Sequence, residues 1–211
     1  MENLTLLDVV DPPEELKNDP RVTVLTGDIT DRALLEKAIP QSTDSIFHMA
    51  AIVSAGAEED FDLGMSVNLD ATRNILEICR GNRTKPKVVF ASSCAGFGGD
   101  MPRIIEDMTA RTPQTSYGTQ KVIGELLIND YSRKGFIDGR ALRFPTVVVR
   151  PGKPNKAAST FASSIIREPL QGQTALCPVA PESKMFLASP RSIVQNIVCL
   201  LYTSPSPRDA E

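Results

Sequence analysis

Short β-like runs alternate with helical patterns along most of this chain, and this alternation restricts the fold more than any other feature. Leu4 to Val10 and Val22 to Leu25 are apolar runs, Asp31 to Ile39 has helical spacing, and Ser45 to His48 is a further run. Strands that alternate with helices form a parallel sheet with helices packed on its faces. The length of 211 residues fits one α/β domain.

The alternation continues with longer elements in the second half of the chain. Apolar spacing predicts a helix from Val67 to Arg80, with Gly81 as its stop, and a strand from Lys87 to Ser92. A helix from Ser116 to Lys134 and a strand from Arg140 to Phe144 follow. We expect five apolar side chains of the later helix to face the core: Val122, Ile123, Leu126, Leu127 and Tyr131.

The first strand does not match the start of a doubly wound domain. Such a domain opens with a strand and a glycine-rich turn into a helix, and the chain contains neither G-x-G-x-x-G nor G-x-x-G-x-x-G. Leu4 to Asp8 instead matches the second strand, whose acidic end follows the glycine turn by about 20 residues. We therefore expect a Rossmann-like doubly wound parallel sheet that lacks its first βα unit.

Residues 199–211 break the preceding helical pattern. They begin Cys-Leu-Leu-Tyr-Thr-Ser-Pro-Ser-Pro-Arg-Asp, which resembles the translation of a transposase-type sequencing adapter read in frame. A natural tail rich in proline and serine is the alternative. We expect an artefact tail and assign no function to residues after Val198.

Composition and charge exclude several classes of function. The formal net charge is −3 and the basic residues are scattered, which predicts neither a nucleic-acid surface nor a polybasic membrane surface. No apolar run is long enough to span a bilayer. The single histidine excludes a His-rich metal site, and the four cysteines lack the spacing of a metal site or a disulfide framework. We expect a cytoplasmic protein without a bound metal.

Tyr117 and Lys121 lie four residues apart in the predicted helix, so their side chains project from one face. The ordinary pKa of tyrosine is near 10, and an adjacent lysine ammonium lowers that pKa because it favours the phenolate. Such a tyrosine can accept a proton from a substrate hydroxyl as hydride leaves the carbon. The alternative is an ordinary surface pair on a helix.

Ser93 adds a third polar group upstream of this pair, at the end of the run Val88-Val89-Phe90-Ala91-Ser92-Ser93. A serine at a strand end can hydrogen-bond the reacting oxygen and hold it, while turn chemistry is the alternative for Ser92-Ser93. The three residues predicted to be catalytic are Ser93, Tyr117 and Lys121.

Ser92-Ser93, then Phe97-Gly98, then Tyr117-Gly-Thr-Gln-Lys121 together resemble the extended short-chain dehydrogenase/reductase superfamily, which includes NAD-dependent epimerases and dehydratases. The resemblance covers residues 4–198 and implies a Rossmann-like fold, bound NAD, and catalysis by the serine, tyrosine and lysine. It also implies cofactor contacts at Asp8, Asp28, Ile29, His48, Ala50, Ala51, Asn68, Ser92, Tyr117, Lys121, Pro145 and Val147.

Asp8 favours NAD over NADP, because a carboxylate at that strand end accepts hydrogen bonds from the ribose 2′-hydroxyl and repels a 2′-phosphate. An ordinary strand-end aspartate is the alternative. His48 lies in the segment Phe-His-Met-Ala-Ala, a position that favours packing against the cofactor over catalysis. Asn68 is interpreted as a structural helix-start residue rather than a proton relay.

A narrower resemblance, to D-erythronate dehydrogenases, rests on the segments Tyr131 to Gly135 and Thr146 to Asn155. It implies oxidation of the C2 hydroxyl of a four-carbon sugar acid to the 2-oxo acid, with reduction of NAD. The substrate carboxylate requires cations or amide donors, and we expect Arg150 or Lys153 to meet it; solvated surface cations are the alternative. A sugar-nucleotide epimerase or dehydratase, and a non-catalytic NAD-binding protein, remain as other functions.

Three segments follow from these assignments. Residues 1–150 are predicted to be a truncated NAD-binding Rossmann domain, 151–198 part of a small substrate-binding region, and 199–211 the artefact tail. Because the glycine-rich turn places the pyrophosphate at a helix N-terminus, we expect the chain as given to bind NAD poorly and to show little or no turnover. The resemblance also allows a homodimer.

Overall fold

The computed structural model describes residues 3–106, 108–150 and 159–202. The strands, in chain order, are β1 (Leu4–Asp8), β2 (Val22–Thr26), β3 (Ser45–His48), β4 (Lys87–Ser93), β5 (Asp138–Phe144), β6 (Thr146–Val147) and β7 (Leu187–Ala188). The α-helices are α1 (Glu14–Lys17), α2 (Arg32–Ala38), α3 (Ser54–Glu59), α4 (Phe61–Gly64), α5 (Ala71–Asn82), α6 (Ser116–Arg133), α7 (Phe161–Leu170) and α8 (Pro190–Cys199). A π-helical turn (Met65–Asp70) precedes α5, and a 3₁₀ turn (Cys94–Gly96) follows β4.

All strand pairs in the described residues are parallel, which confirms the predicted Rossmann-like α/β class. β1 pairs with β2, β4 lies between β3 and β5, and β6 pairs with β7. The described strands therefore form three separate ladders. No backbone pairing joins β1 to β3, and we call this break the division. It separates one half of the domain, with β1 and β2, from the other half, with β3, β4 and β5.

One hydrophobic core joins the first two ladders. Its buried members come from α2, α5, β4, α6 and the turn before β5: Leu35, Ile39, Ile75, Leu76, Ile78, Cys79, Val88, Phe90, Ile128 and Ile137. Leu7 of β1 and Ile46 of β3 pack against this core from the two sides of the division. The two halves are thus held together by side-chain packing rather than by backbone hydrogen bonds.

The end of α5 differs from the predicted end. The helix passes through Gly81 and ends at Asn82, followed by Arg83 in the left-handed region with φ of 57°. The backbone N–H of Arg83 donates to the carbonyl of Cys79 and so satisfies one of the last helical acceptors. The prediction of Gly81 as the stop was wrong because the non-glycine Arg83 adopts the terminating conformation.

The buried face of α6 also differs from the predicted one. Leu126 is 51% exposed, whereas Lys121, Gly124, Glu125 and Ile128 are buried. A Cβ at Gly124 would lie only 2.6 Å from Cζ of Phe90, so the absence of a side chain lets the helix approach β4 closely. The inward placement of Leu126 was wrong because the helix packs through its glycine rather than through its most apolar stripe.

Within the described ranges, no helix combines the length and the apolar character needed to cross a membrane.

Replacement of Gly124 by valine should destabilise the protein by about 1–3 kcal/mol, because the new side chain overpacks the contact with Phe90. Gly81→Ala is the matched control: it lies in α5, where a Cβ would meet nothing within 4 Å, and it should leave stability unchanged or raise it by up to about 1 kcal/mol. Urea unfolding of both variants measures the difference. Equal stability of Gly124→Val and the parent chain would contradict the close packing of α6 on β4.

Candidate active site

The predicted cofactor and catalytic residues gather at one edge of the parallel ladders. Asp8 ends β1, His48 ends β3 and Ser93 ends β4. Asp28 lies two residues after β2, and Pro145 directly follows β5. In open α/β sheets, ligands bind in the crevice outside the carboxyl ends of the strands. The strand directions therefore bring these residues to the edge at which such folds bind cofactor and substrate.

Ser93 is held by the 3₁₀ turn that follows it. Its Oγ accepts a hydrogen bond from the backbone N–H of Ala95, 3.1 Å away. A Cβ at Gly118 would lie 2.3 Å from the carbonyl oxygen of Ala95, so only glycine permits this turn to approach α6 so closely. Tyr117 lies near enough for the Ser93 hydroxyl to lower the pKa of its phenol.

The first turn of α6 is anchored by side chains from two elements. Oγ1 of Thr115 caps the helix and accepts from the N–H of Gly118 at 3.0 Å. The carboxylate of Glu58, on α3, accepts from the N–H of Ser116, and a negative charge at a helix N-terminus is stabilising. These contacts fix the part of the helix that carries Tyr117.

Lys121 is only 2% exposed and lies beneath the tyrosine. Its Nζ is 5.8 Å from the centroid of the Tyr117 ring and 4.7 Å from that of Phe90. The structure therefore brings Ser93, Tyr117 and Lys121 into one cluster, at the junction of β4 and α6.

Burial dominates the ionisation of the cluster. Burial raises the pKa of Tyr117, with a smaller contribution in the same direction from Cys94, although the Ser93 hydroxyl acts in the opposite direction. It also lowers the pKa of Lys121 to about 8. The expectation that Lys121 lowers the pKa of Tyr117 was thus wrong for the protein without cofactor, because burial of the phenol is the larger effect.

His48 is buried, and its Nε2 lies 2.8 Å from Oγ1 of Thr72. Its ring packs against that of Phe90, with centroids 5.6 Å apart. Burial, together with the charge of Lys121, lowers the pKa of His48 to about 3. The neutral ring thus packs inside the protein, and its predicted contact with the cofactor stays a prediction.

Asn68 lies in the π-helical turn and joins the segment after β3 to α6. Its amide exchanges hydrogen bonds with the backbone N–H and C=O of Ile52, at 2.8 and 3.0 Å, and donates to Oε1 of Gln120 at 2.7 Å. This clamp fixes the turn that contains Ala50 and Ala51. The amide thus acts inside the protein, in agreement with the structural role interpreted from the sequence.

Sequence reasoning missed two buried polar residues of α6, Gln120 and Glu125. The carboxylate of Glu125 accepts a hydrogen bond from the hydroxyl of Ser92, which faces the helix rather than the open edge. A signal for Glu125 was present, because it follows Lys121 by four positions and so shares its face. Gln120 gave no comparable signal.

The predicted adenosine contacts lie at the exposed ends of β1 and β2. Carboxylate oxygens of Asp8 and Asp28 accept from the N–H groups of Val10 and Thr30, at 3.1 and 2.8 Å, and both residues remain exposed, with Ile29 half-buried beside them. A cavity of about 290 Å³ borders Asp8, and its lining is mostly apolar: Leu6, Leu7, Val10, Asp11, Pro12, Val24 and Leu25.

The predicted substrate cations are only partly described. The backbone N–H of Arg150 donates to Oγ of Ser163 at 3.2 Å, and its carbonyl accepts from Arg167 at 2.7 Å. Arg167 also pairs with Glu168, so its guanidinium has a structural role. Lys153 lies outside the described residues. Pro145 and Val147, both half-buried, connect β5 to this region.

No group of three or more His, Cys, Asp or Glu side chains that could hold a metal ion occurs in the part of the chain that the structure describes.

Comparisons with known proteins agree with this arrangement. A protein-family model described as the NAD dependent epimerase/dehydratase family matches residues 2–185. The chain is similar to D-erythronate dehydrogenase of Cupriavidus necator, with 58% identity over 198 residues that cover 94% of this chain and 60% of the relative. The D-erythronate dehydrogenase of Haemophilus influenzae is 53% identical over 207 residues, which cover 98% of this chain and 65% of the relative. The chain thus spans less than two thirds of the length of these curated relatives.

Among solved structures, a crystal structure of a nucleoside-diphosphate-sugar epimerase from Agrobacterium tumefaciens superposes with a TM-score of 0.86. Its sequence is 48% identical, and the match covers 93% of this chain and 59% of that one. The fold described above is therefore shared with a relative of high sequence similarity.

His48 should make the protein less stable in mild acid. Its pKa is about 3 in the folded state against an ordinary value of 6.5, so the unfolded chain takes up the proton first as the pH falls. The stability that neutral His48 provides is therefore fully present above pH 6.5, and it is lost as the pH falls from 6.5 towards 3. Between pH 7 and pH 5 this linkage amounts to about 2 kcal/mol.

Urea unfolding of the parent chain and of His48→Gln over that pH range measures the effect. The variant should lose about 2 kcal/mol less than the parent chain. Thr72→Val, which removes the hydrogen-bond partner but keeps the histidine, should retain the steep dependence of the parent. Identical pH profiles of the parent chain and His48→Gln would contradict the neutral, enclosed state of the ring.

Proposed function

Because this chain belongs to the NAD dependent epimerase/dehydratase family, we propose that it carries the active site of an NAD-dependent dehydrogenase that oxidises the C2 hydroxyl of D-erythronate. The observation that carries the proposal is the cluster of Ser93, Tyr117 and Lys121 at the strand edge. The identity of 58% and 53% to two D-erythronate dehydrogenases supports the substrate. The product is the corresponding 2-oxo acid.

In the proposed reaction, Tyr117 accepts the proton of the C2 hydroxyl while the hydride leaves the same carbon. Bound NAD would supply the hydride acceptor and a positive charge near the phenol. Ser93 donates a hydrogen bond to the reacting oxygen and holds it beside the phenol. Lys121 lies close enough for its positive charge, together with that of bound NAD, to favour the phenolate.

The residues proposed to hold NAD lie along the strand edge. Asp8 would accept the ribose hydroxyls and so select NAD over NADP, with Asp28 and Ile29 beside the adenine. The turn after His48 would pass over the phosphates and ribose, and the segment after β5 would lie beside the nicotinamide. The remaining proposed contacts are Ala50, Ala51, Tyr117, Lys121, Pro145 and Val147. The side chains of Asn68 and Ser92 bond inside the protein, so a contact of either residue with NAD would come from its backbone.

The division of the sheet supports a further part of the proposal. A doubly wound sheet has the strand order 3-2-1-4-5-6, and the ladders β2–β1 and β3–β4–β5 correspond to 3-2 and 4-5-6. The division lies at the position of the first strand, whose glycine-rich turn binds the pyrophosphate. We therefore infer that these 211 residues alone bind NAD weakly.

A sugar-nucleotide epimerase is the second candidate, favoured by the 48% identity to the Agrobacterium protein. Dehydratase chemistry is less suited to the site, because Ser93 is followed by Cys94-Ala95 rather than by an acidic residue. A protein that only binds NAD would not need the serine, tyrosine and lysine in contact. The dehydrogenase remains the better proposal because the two relatives so named share more of the sequence.

Two further properties stay proposals. The four cysteines are all free thiols, which suits a reducing compartment such as the cytoplasm. Homodimer formation stays a prediction.

A chimera tests the activity. Residues 3–198 of this chain would replace the matching segment of the Cupriavidus necator relative. NADH absorbance would be followed with D-erythronate and other four-carbon sugar acids. Conversion of UDP-glucose would be followed by chromatographic separation of the nucleotide sugars, because an epimerase returns the hydride and forms no net NADH. We expect NADH formation with D-erythronate, and a loss of kcat of about 100-fold or more in Tyr117→Phe. Tyr131→Phe is the matched control on the same helix and should keep full activity.

Conversion of the nucleotide sugar without oxidation of any four-carbon acid would overturn the proposal in favour of the epimerase. The unmodified 211-residue chain, assayed in parallel, should reduce little or no NAD. Turnover by that chain equal to the chimera would contradict the weak NAD binding.

Either Arg150 or Lys153 is proposed to meet the substrate carboxylate. In the chimera, alanine at the responsible position should raise KM for D-erythronate by about tenfold, the effect of a lost charge-assisted hydrogen bond, with a smaller change in kcat. Arg133→Ala, which removes an exposed cation at the end of α6, should not change KM. An unchanged KM in both the Arg150 and Lys153 variants would reject this assignment.

A further inference from the structure

A buried carboxylate lies one helical turn beyond Lys121. Glu125 is 2% exposed, and its two oxygens accept hydrogen bonds from Ser92, Arg111 and Arg143. The Arg143 guanidinium binds both oxygens at 2.8 to 3.1 Å, and Arg111 binds Oε2 at 2.8 Å. Burial alone would raise the pKa of Glu125, but the hydrogen bonds from Arg143, Ser92 and Arg111 together hold it below its ordinary value.

The three partners of Glu125 come from three other parts of the fold. Ser92 lies on β4 directly before Ser93, and Arg143 lies opposite Ser92 in the ladder between β4 and β5. Arg111 belongs to the segment between the 3₁₀ turn and α6. The carboxylate therefore connects both strands and this segment to one point of the helix.

Arg143 also holds the turn that follows Ser93. Its guanidinium lies over the ring of Phe97, 5.3 Å from the centroid. Phe97 comes directly after the 3₁₀ turn, in which the N–H of Ala95 donates a hydrogen bond to Oγ of Ser93. The same network thus fixes the chain before and after Ser93.

We propose that Glu125 is a positioning residue, whose bonds to Ser92 and Arg143 set the distance between β4 and α6 and so keep the hydroxyl of Ser93 beside Tyr117. Consecutive residues of a strand face opposite sides, so Ser92 can bind the helix while Ser93 faces the reacting atoms. The functional meaning of this contact rests on the proposed dehydrogenase activity. Its test uses the ionisation of Tyr117 and needs neither cofactor nor turnover.

The composition allows that ionisation to be read directly. The chain has three tyrosines and no tryptophan, so Tyr131→Phe and Tyr202→Phe together leave Tyr117 as the only phenol. Phenolate absorbance is then recorded in the 211-residue chain after stopped-flow jumps into increasingly alkaline buffers, before unfolding occurs. Circular dichroism at the starting pH confirms that each variant is folded.

Glu125→Gln in this background should raise the pKa of Tyr117 by about 0.5 to 1, because Ser93, whose hydroxyl lowers that pKa, would move away from the phenol. Removal of a negative charge without movement would lower that pKa instead, so the two explanations differ in sign. Ser93→Ala removes the hydroxyl outright and gives the largest rise to be expected from its loss. Ser92→Ala, which deletes one donor to the carboxylate, should give a smaller rise.

Glu36→Gln is the matched control, because Glu36 is an exposed, arginine-paired carboxylate on α2 and should leave the pKa of Tyr117 unchanged. A fall or no change of that pKa in both Glu125→Gln and Ser92→Ala would overturn the proposal. If Glu125→Gln does not fold, Ser92→Ala decides alone. A failure of the dehydrogenase proposal would show only in the NADH assay, so the two results are independent.

Discussion

The rest of the structure depends on the close contact between α6 and β4. Two glycines make it possible: Gly124 lets the helix rest on the ring of Phe90, and Gly118 lets it meet the carbonyl of Ala95. A larger residue at either position would move the helix away from the strand. Tyr117 and Lys121 would move with it, while Ser93 is fixed to β4. The contact is thus the physical basis of the cluster.

Apolar packing alone would not fix this contact in one register, because burial of apolar surface has no preferred direction. Directional bonds are supplied by buried polar groups on both sides of the helix. Gln120 and Asn68 connect α6 to the segment after β3, and Glu125 connects it to β4 and β5. A buried carboxylate is tolerated only when it is fully partnered, so the network tolerates little displacement of either strand.

Periodicity and local motifs were sufficient to predict β1 to β5, the parallel sheet and the grouping of Ser93, Tyr117 and Lys121, but not the two-residue strands β6 and β7. Strand ends and helix spacing place such residues without knowledge of the packing. The buried face of α6 could not be predicted in this way, because an apolar pattern favours Leu126 and gives no weight to Gly124. The pKa of Tyr117 was misjudged for a related reason: the spacing shows the lysine, but the burial of the phenol exists only in the folded protein.

The division between β1 and β3 has a consequence for how the protein behaves at high concentration. Within the described residues, each of these strands is paired along one side only, so a row of backbone donors and acceptors faces the division. Unpaired strand edges are templates for strands of other molecules. The open edges of β1 and β3 could therefore pair with a strand of a neighbouring molecule. Association of this kind would compete with folding.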